Sequence, residues 1–272
     1  MSERGAKMRR VNLLLWTGAF FIAVVAVPTV ISFFYTPYDP VAMQIDARLQ
    51  PPSQNHWFGT DQYGRDLFSR IITGGQTSLS ISAAAVGIGM VVGTGLGAAA
   101  GYFGKKADEL LMRTAEALHA FPSILLALLA VAIIGPGGET VLLSIAIANI
   151  PVFIKITRAS FMQQSRLEYV LAARALGASD WRIMFRHILP NSIRVILIQA
   201  SASFASALLA EASLSYLGLG VQPPQPSWGK MLREVQSFGS MAPWTVVFPG
   251  MAVALVVLGF NLVADGLRIK GK

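Results

Sequence analysis

The chain has 272 residues, 54% of them hydrophobic and only 13% charged. Soluble domains carry about 25% charged residues, so this composition excludes a soluble core and fits a protein whose solvent is lipid. The formal charge of +8 falls between apolar runs, which points to membrane orientation rather than nucleic acid, and the absence of cysteine excludes disulfides, thiolate metal sites and cysteine nucleophiles.

Four basic residues, Arg4, Lys7, Arg9 and Arg10, precede an apolar run from Val11 to Tyr35. The run is too long for a signal-peptide core, and its exit lacks a small-x-small cleavage site. Residues 1–35 are therefore predicted as a basic inside end and a first uncleaved span. Residues 36–75 form a polar outside segment, irregular at first because of Pro37, Pro40, Pro51 and Pro52. Within it Asp66 is placed to cap a short surface helix carrying Leu67, Phe68, Ile71 and Ile72. Asp61 and Asp66 lack the alternating carboxylates of a calcium loop and read as turn and cap chemistry.

Span two is predicted from Leu79 to Phe103. Gly89, Gly93, Gly97 and Gly101 recur every fourth residue, so they share one helix face and let a neighbouring helix approach. Lys105 and Lys106 mark a short inside loop. Glu109, Arg113 and Glu116 then stand at i, i+4 and i+7, spaced to pair along a helix. Span three is expected to continue through Phe121 and Pro122 to Ile134. His119 near its start is a lone polar side chain. Span four runs from Thr140 to about Thr157, with Asn149 and Pro151 facing protein or a watery path.

The longest polar stretch after that point is the loop 160–192. Arg158 stands at its entrance, and Arg166, Arg174, Arg182 and Arg186 lie within it. Strong helix formers fill Arg166 to Leu176, Gly177 suits a left-handed stop, and Ser179 can cap a second short helix. The loop reads as helix, glycine turn, helix, with Pro190 at the start of the next span. Span five, Val195–Leu217, is rich in serine and alanine and carries Glu211. A carboxylate at membrane depth must face a partner or water. Residues 218–240 form an outside loop in which Ser227 caps a short amphipathic helix. Trp228, Met231, Leu232 and Val235 lie on one face of it, and Lys230, Arg233 and Glu234 on the other. Span six runs from Met241 to Ala264, and the tail is basic.

With six spans and both termini inside, 17 of the 22 Lys and Arg residues fall on the inner side; only Arg48, Arg65, Arg70, Lys230 and Arg233 fall outside. The layout obeys the positive-inside rule. No phosphate-binding, metallohydrolase or serine-hydrolase motif occurs. The sequence thus describes an all-α polytopic membrane protein with no catalytic and no metal site of its own. Asn149, Ser206 and Glu211 are candidate path residues.

At the loop the sequence resembles permease subunits of ABC importers, whose pattern is E-A-A, three residues, G, nine residues, I-x-L-P. Ala172, Ala173, Gly177, Leu189 and Pro190 match in register; Leu171 and His187 depart from it. HWFGTDQYGRDLFSR, EYVLAARALGAS, RHILPN and AEASLSYLGLG further resemble the C-type permease of the dipeptide, oligopeptide and nickel branch. The resemblance implies the six-helix permease fold in a bacterial inner membrane, with a core of residues 76–272 and cytoplasmic termini. It implies a similar B-type permease, two cytoplasmic ATPases that hold ATP and Mg, and an outside substrate-binding protein. It also implies that Glu168, Ala172, Ala173, Arg174, Ala175, Leu176, Gly177 and Ala178 contact an ATPase. Peptides or a related small solute are the implied cargo, with a nickel chelate as the alternative. A carrier or channel acting alone is the rival class, with Glu211 or His119 as its proton-coupling group.

Overall fold

A computed structural model describes residues 3–270, with side chains from Arg9 onward. Lys272 and the side chains of Arg4 and Lys7 lie outside the described residues. Ten α-helices account for most of the described residues: α1 Glu3–Ile31, α2 Leu67–Phe103, α3 Lys105–Ala120, α4 Ser123–Ile134, α5 Gly138–Gln164, α6 Glu168–Ala175, α7 Asp180–Arg182, α8 Leu189–Tyr216, α9 Trp228–Glu234 and α10 Trp244–Lys270. A π-helical turn, Ile183–Ile188, joins α7 to α8. Five stretches are long and apolar enough to cross a membrane, or six if the bent pair α3–α4 counts as one crossing.

The bundle is organised around α2 and α5, which pack along most of their length. The four-residue glycine period makes this possible. A Cβ at Gly93 would lie 2.6 Å from the Ile150 carbonyl, and one at Gly97 2.5 Å from that of Ile154. Gly89 and Gly101 meet Asn149 and Arg158 at 2.7 and 2.6 Å. Gly87 and Gly95, on other faces, meet nothing within 4 Å. Dispersion between closely approached backbones is the main attraction available where lipid removes the hydrophobic drive. α1 pairs with α10 by the same device, since a Cβ at Gly18 would lie 2.7 Å from the Gly259 carbonyl. α8 joins the two halves, packing on α2, α5 and α10.

Two expectations are corrected. The surface helix at Asp66 and span two form one helix, α2, of 37 residues. Asp66 caps it as expected, accepting from the Ser69 amide at 2.8 Å. The helix does not stop at Gly74 and Gly75: the bare backbone of Gly75 lets Thr29 and Trp228 press against it, and Gly74 packs on Ser227 and Met231. Span three is not continuous: α3 and α4 meet at 86°. Pro122 forces Phe121 into an extended conformation (φ −79°, ψ 126°) and donates no hydrogen bond itself. With 12 residues, α4 is about 18 Å long, short of the roughly 30 Å hydrocarbon layer. Of the spaced charges on α3, Arg113 bonds Glu109 at 2.7 Å, and this pair is exposed. On α9, Lys230 is 7% exposed and donates to the Gln225 carbonyl at 3.0 Å.

Candidate functional site

The loop between α5 and α8 is a folded unit. α5 ends at Gln164, and Leu167, extended at ψ 148°, redirects the chain into α6. Gly177 ends α6 with φ +80°, a left-handed conformation that costs an L residue about 1–2 kcal/mol. The Gly177 and Ala178 amides return to the carbonyls of Arg174 and Ala173 at 3.0 and 3.1 Å, closing the helix end. Ser179 then caps α7 through the Arg182 amide at 3.4 Å. From Asp180 to Tyr216 the chain is one helical rod of 37 residues, about 55 Å long.

The underside of the loop is apolar. Val170, Ile183, Met184 and Ile188 are buried with Ala98 of α2 and Phe161 of α5. Polar ties fix its edges. Tyr102 of α2 donates to Asp180 at 2.5 Å and accepts from Arg174 at 3.3 Å, with the Arg174 guanidinium 5.6 Å from its ring centre. Asn191 donates to the Tyr169 hydroxyl at 3.1 Å. Arg158 pairs with Asp108 through both carboxylate oxygens, tying α5 to α3. In Asp108 this hydrogen bond holds the carboxyl below its usual range.

The outer side is exposed. Glu168, Ala172, Arg174, Ala175, Leu176 and Gly177 face solvent, while Ala173 and Ala178 are half-buried against the underside. Leu176 is 88% and Trp181 71% exposed. Arg166, Arg174, Arg182 and Arg186 of the same loop are also exposed. A rigid apolar tip among arginines is suited to docking in a groove with acidic walls.

The three candidate path residues do not come together. Asn149 is half-buried on α5 and donates to the Ile145 carbonyl at 2.8 Å. Ser206 is exposed on α8 and bonds back to the Ala202 carbonyl at 3.3 Å. Glu211 is wholly buried within the chain. Five residues apart on one helix, the last two point about 140° from each other. Ser206 continues in Ser213 as a hydroxyl stripe on the exposed face of α8, beside an apolar groove lined by Leu209, Tyr216, Val253 and Val257.

Sequence reasoning missed an ion cluster on the other side of the bundle. Glu234 of α9 accepts from Arg65 at 2.7 Å and Arg70 at 3.0 Å. Asp61 pairs with the same two arginines at 2.6 and 3.4 Å. Arg70 is 1% exposed, so its charge is tolerable only because two carboxylates and the Pro40 carbonyl surround it. Beside the cluster, burial draws the Lys230 ammonium below the usual lysine range, opposed by Glu234. The available signal was that Arg65, Arg70 and Lys230 break the inside bias. His56 joins Asp66 at 2.8 Å in the segment that leads into α2.

Residues 93–268 match the binding-protein-dependent transport system inner membrane components. The chain belongs to that family. The dipeptide transport system permease protein DppC of Alkalihalophilus pseudofirmus is 45% identical over 262 residues, covering 96% of this chain and 84% of that protein. The glutathione transport system permease protein GsiD of Pectobacterium atrosepticum is 42% identical over 260 residues, covering 95% and 86%. In fold, the permease resembles a chain of the MetNI methionine ABC transporter in an inward-facing conformation. The TM-score is 0.59 at 16% identity, over 74% of this chain and 95% of the other. The protein is thus an inner-membrane permease subunit of a binding-protein-dependent transport system, and transport rather than catalysis is its activity.

Proposed function

We propose that this permease imports di- or oligopeptides, or a small peptide-like solute, as one half of an ATP-driven translocation path. The relatives at 42–45% identity are named for dipeptide and glutathione transport, and glutathione is itself a short peptide. A similar B-type permease forms the other half. Two ATPases holding ATP and Mg bind on the cytoplasmic side, where the inner-side excess of Lys and Arg puts the loop 160–192 and both termini. A binding protein delivers cargo to the outside segments.

The observation that carries this reading is the loop itself: an exposed tip at Arg174–Ala178 mounted on a buried underside and continuous with the rod of α8. ATP-driven closure of the ATPases pushes the tip, and the rod carries the displacement outward. The exposed face of α8 around Ser206 and Ser213 borders the path, since hydroxyls facing lipid gain nothing there. Asn149 supports α5 from within the bundle.

Gly177→Arg tests the docking. No atom lies within 4 Å of an added Cβ at Gly177, so the fold tolerates the substitution at a cost of about 1–2 kcal/mol from its positive φ. ATP-driven uptake of a labelled dipeptide by the assembled complex is expected to fall at least tenfold, while Gly177→Asn, which accepts the same φ, stays close to wild type. Wild-type uptake and ATPase binding in Gly177→Arg would contradict the docking.

A further inference from the structure

Glu211 lies near the end of α8 far from the loop, with no exposure to solvent. Its Oε1 accepts from Ser215 at 2.8 Å, and among the described residues its Oε2 has no hydrogen-bond partner. A carboxylate kept at membrane depth with an unmet oxygen costs stability that an apolar side chain would avoid. What surrounds it explains its presence. The hydroxyls of Ser78 on α2 and Ser227 lie beside the carboxylate. Ser227 is the N-cap of α9, and the amide of the next residue, Trp228, donates to Ser78 at 3.2 Å. The Trp228 indole donates to the Ile71 carbonyl at 2.9 Å. One residue on, Gly229 lays bare α9 backbone against α8, where a Cβ would fall 2.7 Å from the Ala212 Cα. The start of α9 thus sits directly against the part of α8 that carries Glu211, with Ala212 packed on Gly229 and Trp228.

We propose that Glu211 is a positioning residue that clamps α9 to α8, so that the outside helix moves as one body with the rod and serves as the outer gate of the path. The inference rests on the coupling role proposed for the loop. At its other end α9 is held to Arg65 and Arg70 through Glu234, which makes it a rigid outer extension of the α2–α8 core rather than a loose loop. A push at Leu176 is then delivered to the outer face without passing through a flexible joint.

The test uses the complete transporter in proteoliposomes and reads uptake per ATP hydrolysed. In Glu211→Ala that ratio is expected to fall at least tenfold, and in Glu211→Gln, which keeps the shape and the bond to Ser215, to return within twofold of wild type. A wild-type ratio in Glu211→Ala, or no recovery in Glu211→Gln, overturns the clamp and leaves the loop reading to be judged separately by Gly177→Arg. A second measurement needs no change at Glu211. The chain has no cysteine, so spin labels at Ser213→Cys on α8 and Gln236→Cys just past α9 report one distance. That distance should stay the same in the nucleotide-free and the ATP–vanadate states; a shift of several ångströms between them also overturns the clamp.

Discussion

At the scale of single residues, the glycines of α2 show how one atom decides helix packing. Gly97 meets the Ile154 carbonyl where a Cβ would sit at 2.5 Å, while Gly95 faces open space. Gly97→Val must push α5 away, at a cost of about 1–3 kcal/mol or more from overpacking. Gly95→Ala keeps the packing and gains about 1 kcal/mol of helix propensity. Thermal unfolding of the purified permease in detergent is expected to show a lowered midpoint for the first and an unchanged or raised one for the second. This face was legible in the sequence, because a period of four glycines is a local pattern that needs no knowledge of the partner. The same holds for Gly177 and Ser179, whose backbone requirements are set within a few residues. Glu211 was legible only as an anomaly. Its residue type at membrane depth signalled a constraint, but the serines that surround it come from α2, α8 and the 218–240 loop.

At the scale of elements, the departures from expectation have a common cause: each was decided by a partner distant in sequence. α2 runs through Gly74 and Gly75 because Thr29 and Trp228 occupy the space at Gly75, and Ser227 and Met231 pack on Gly74. The polar face of the amphipathic α9 is itself covered: Glu234 turns toward Arg65 and Arg70, and Lys230 toward the Gln225 carbonyl. Helical periodicity identifies two faces but cannot say that the polar one is also covered. The bend at Phe121–Pro122 is the exception, since its determinant, a proline within an apolar run, was in plain view. The ion cluster gives an element-scale prediction. Glu234→Ala leaves Arg65 and the fully buried Arg70 with one carboxylate, Asp61, in place of two, which destabilises the docking of α9 by about 3 kcal/mol. Limited proteolysis of the 218–240 loop is expected to accelerate accordingly. An unchanged cleavage rate would mean that the apolar seat of Trp228 and Met231 holds α9 without the ion cluster.

At the scale of the whole molecule, the permease is a close-packed core of α2, α5, α8 and α9 with the α1–α10 pair alongside it. The folded loop closes one end of that core and the ion cluster closes the other. Such a body transmits displacement because its elements are held by close backbone contacts and buried polar ties rather than by loose side chains. The central claim is that the tip at Leu176 lies in the cytoplasm and is covered by an ATPase. Labelling Leu176→Cys, in this otherwise cysteine-free chain, with a membrane-impermeant thiol reagent tests it most directly. Intact cells should leave the thiol unmodified, and inside-out vesicles should modify it only after the ATPase subunits are stripped away. Modification in intact cells, or equal modification with and without the ATPases, would contradict the account.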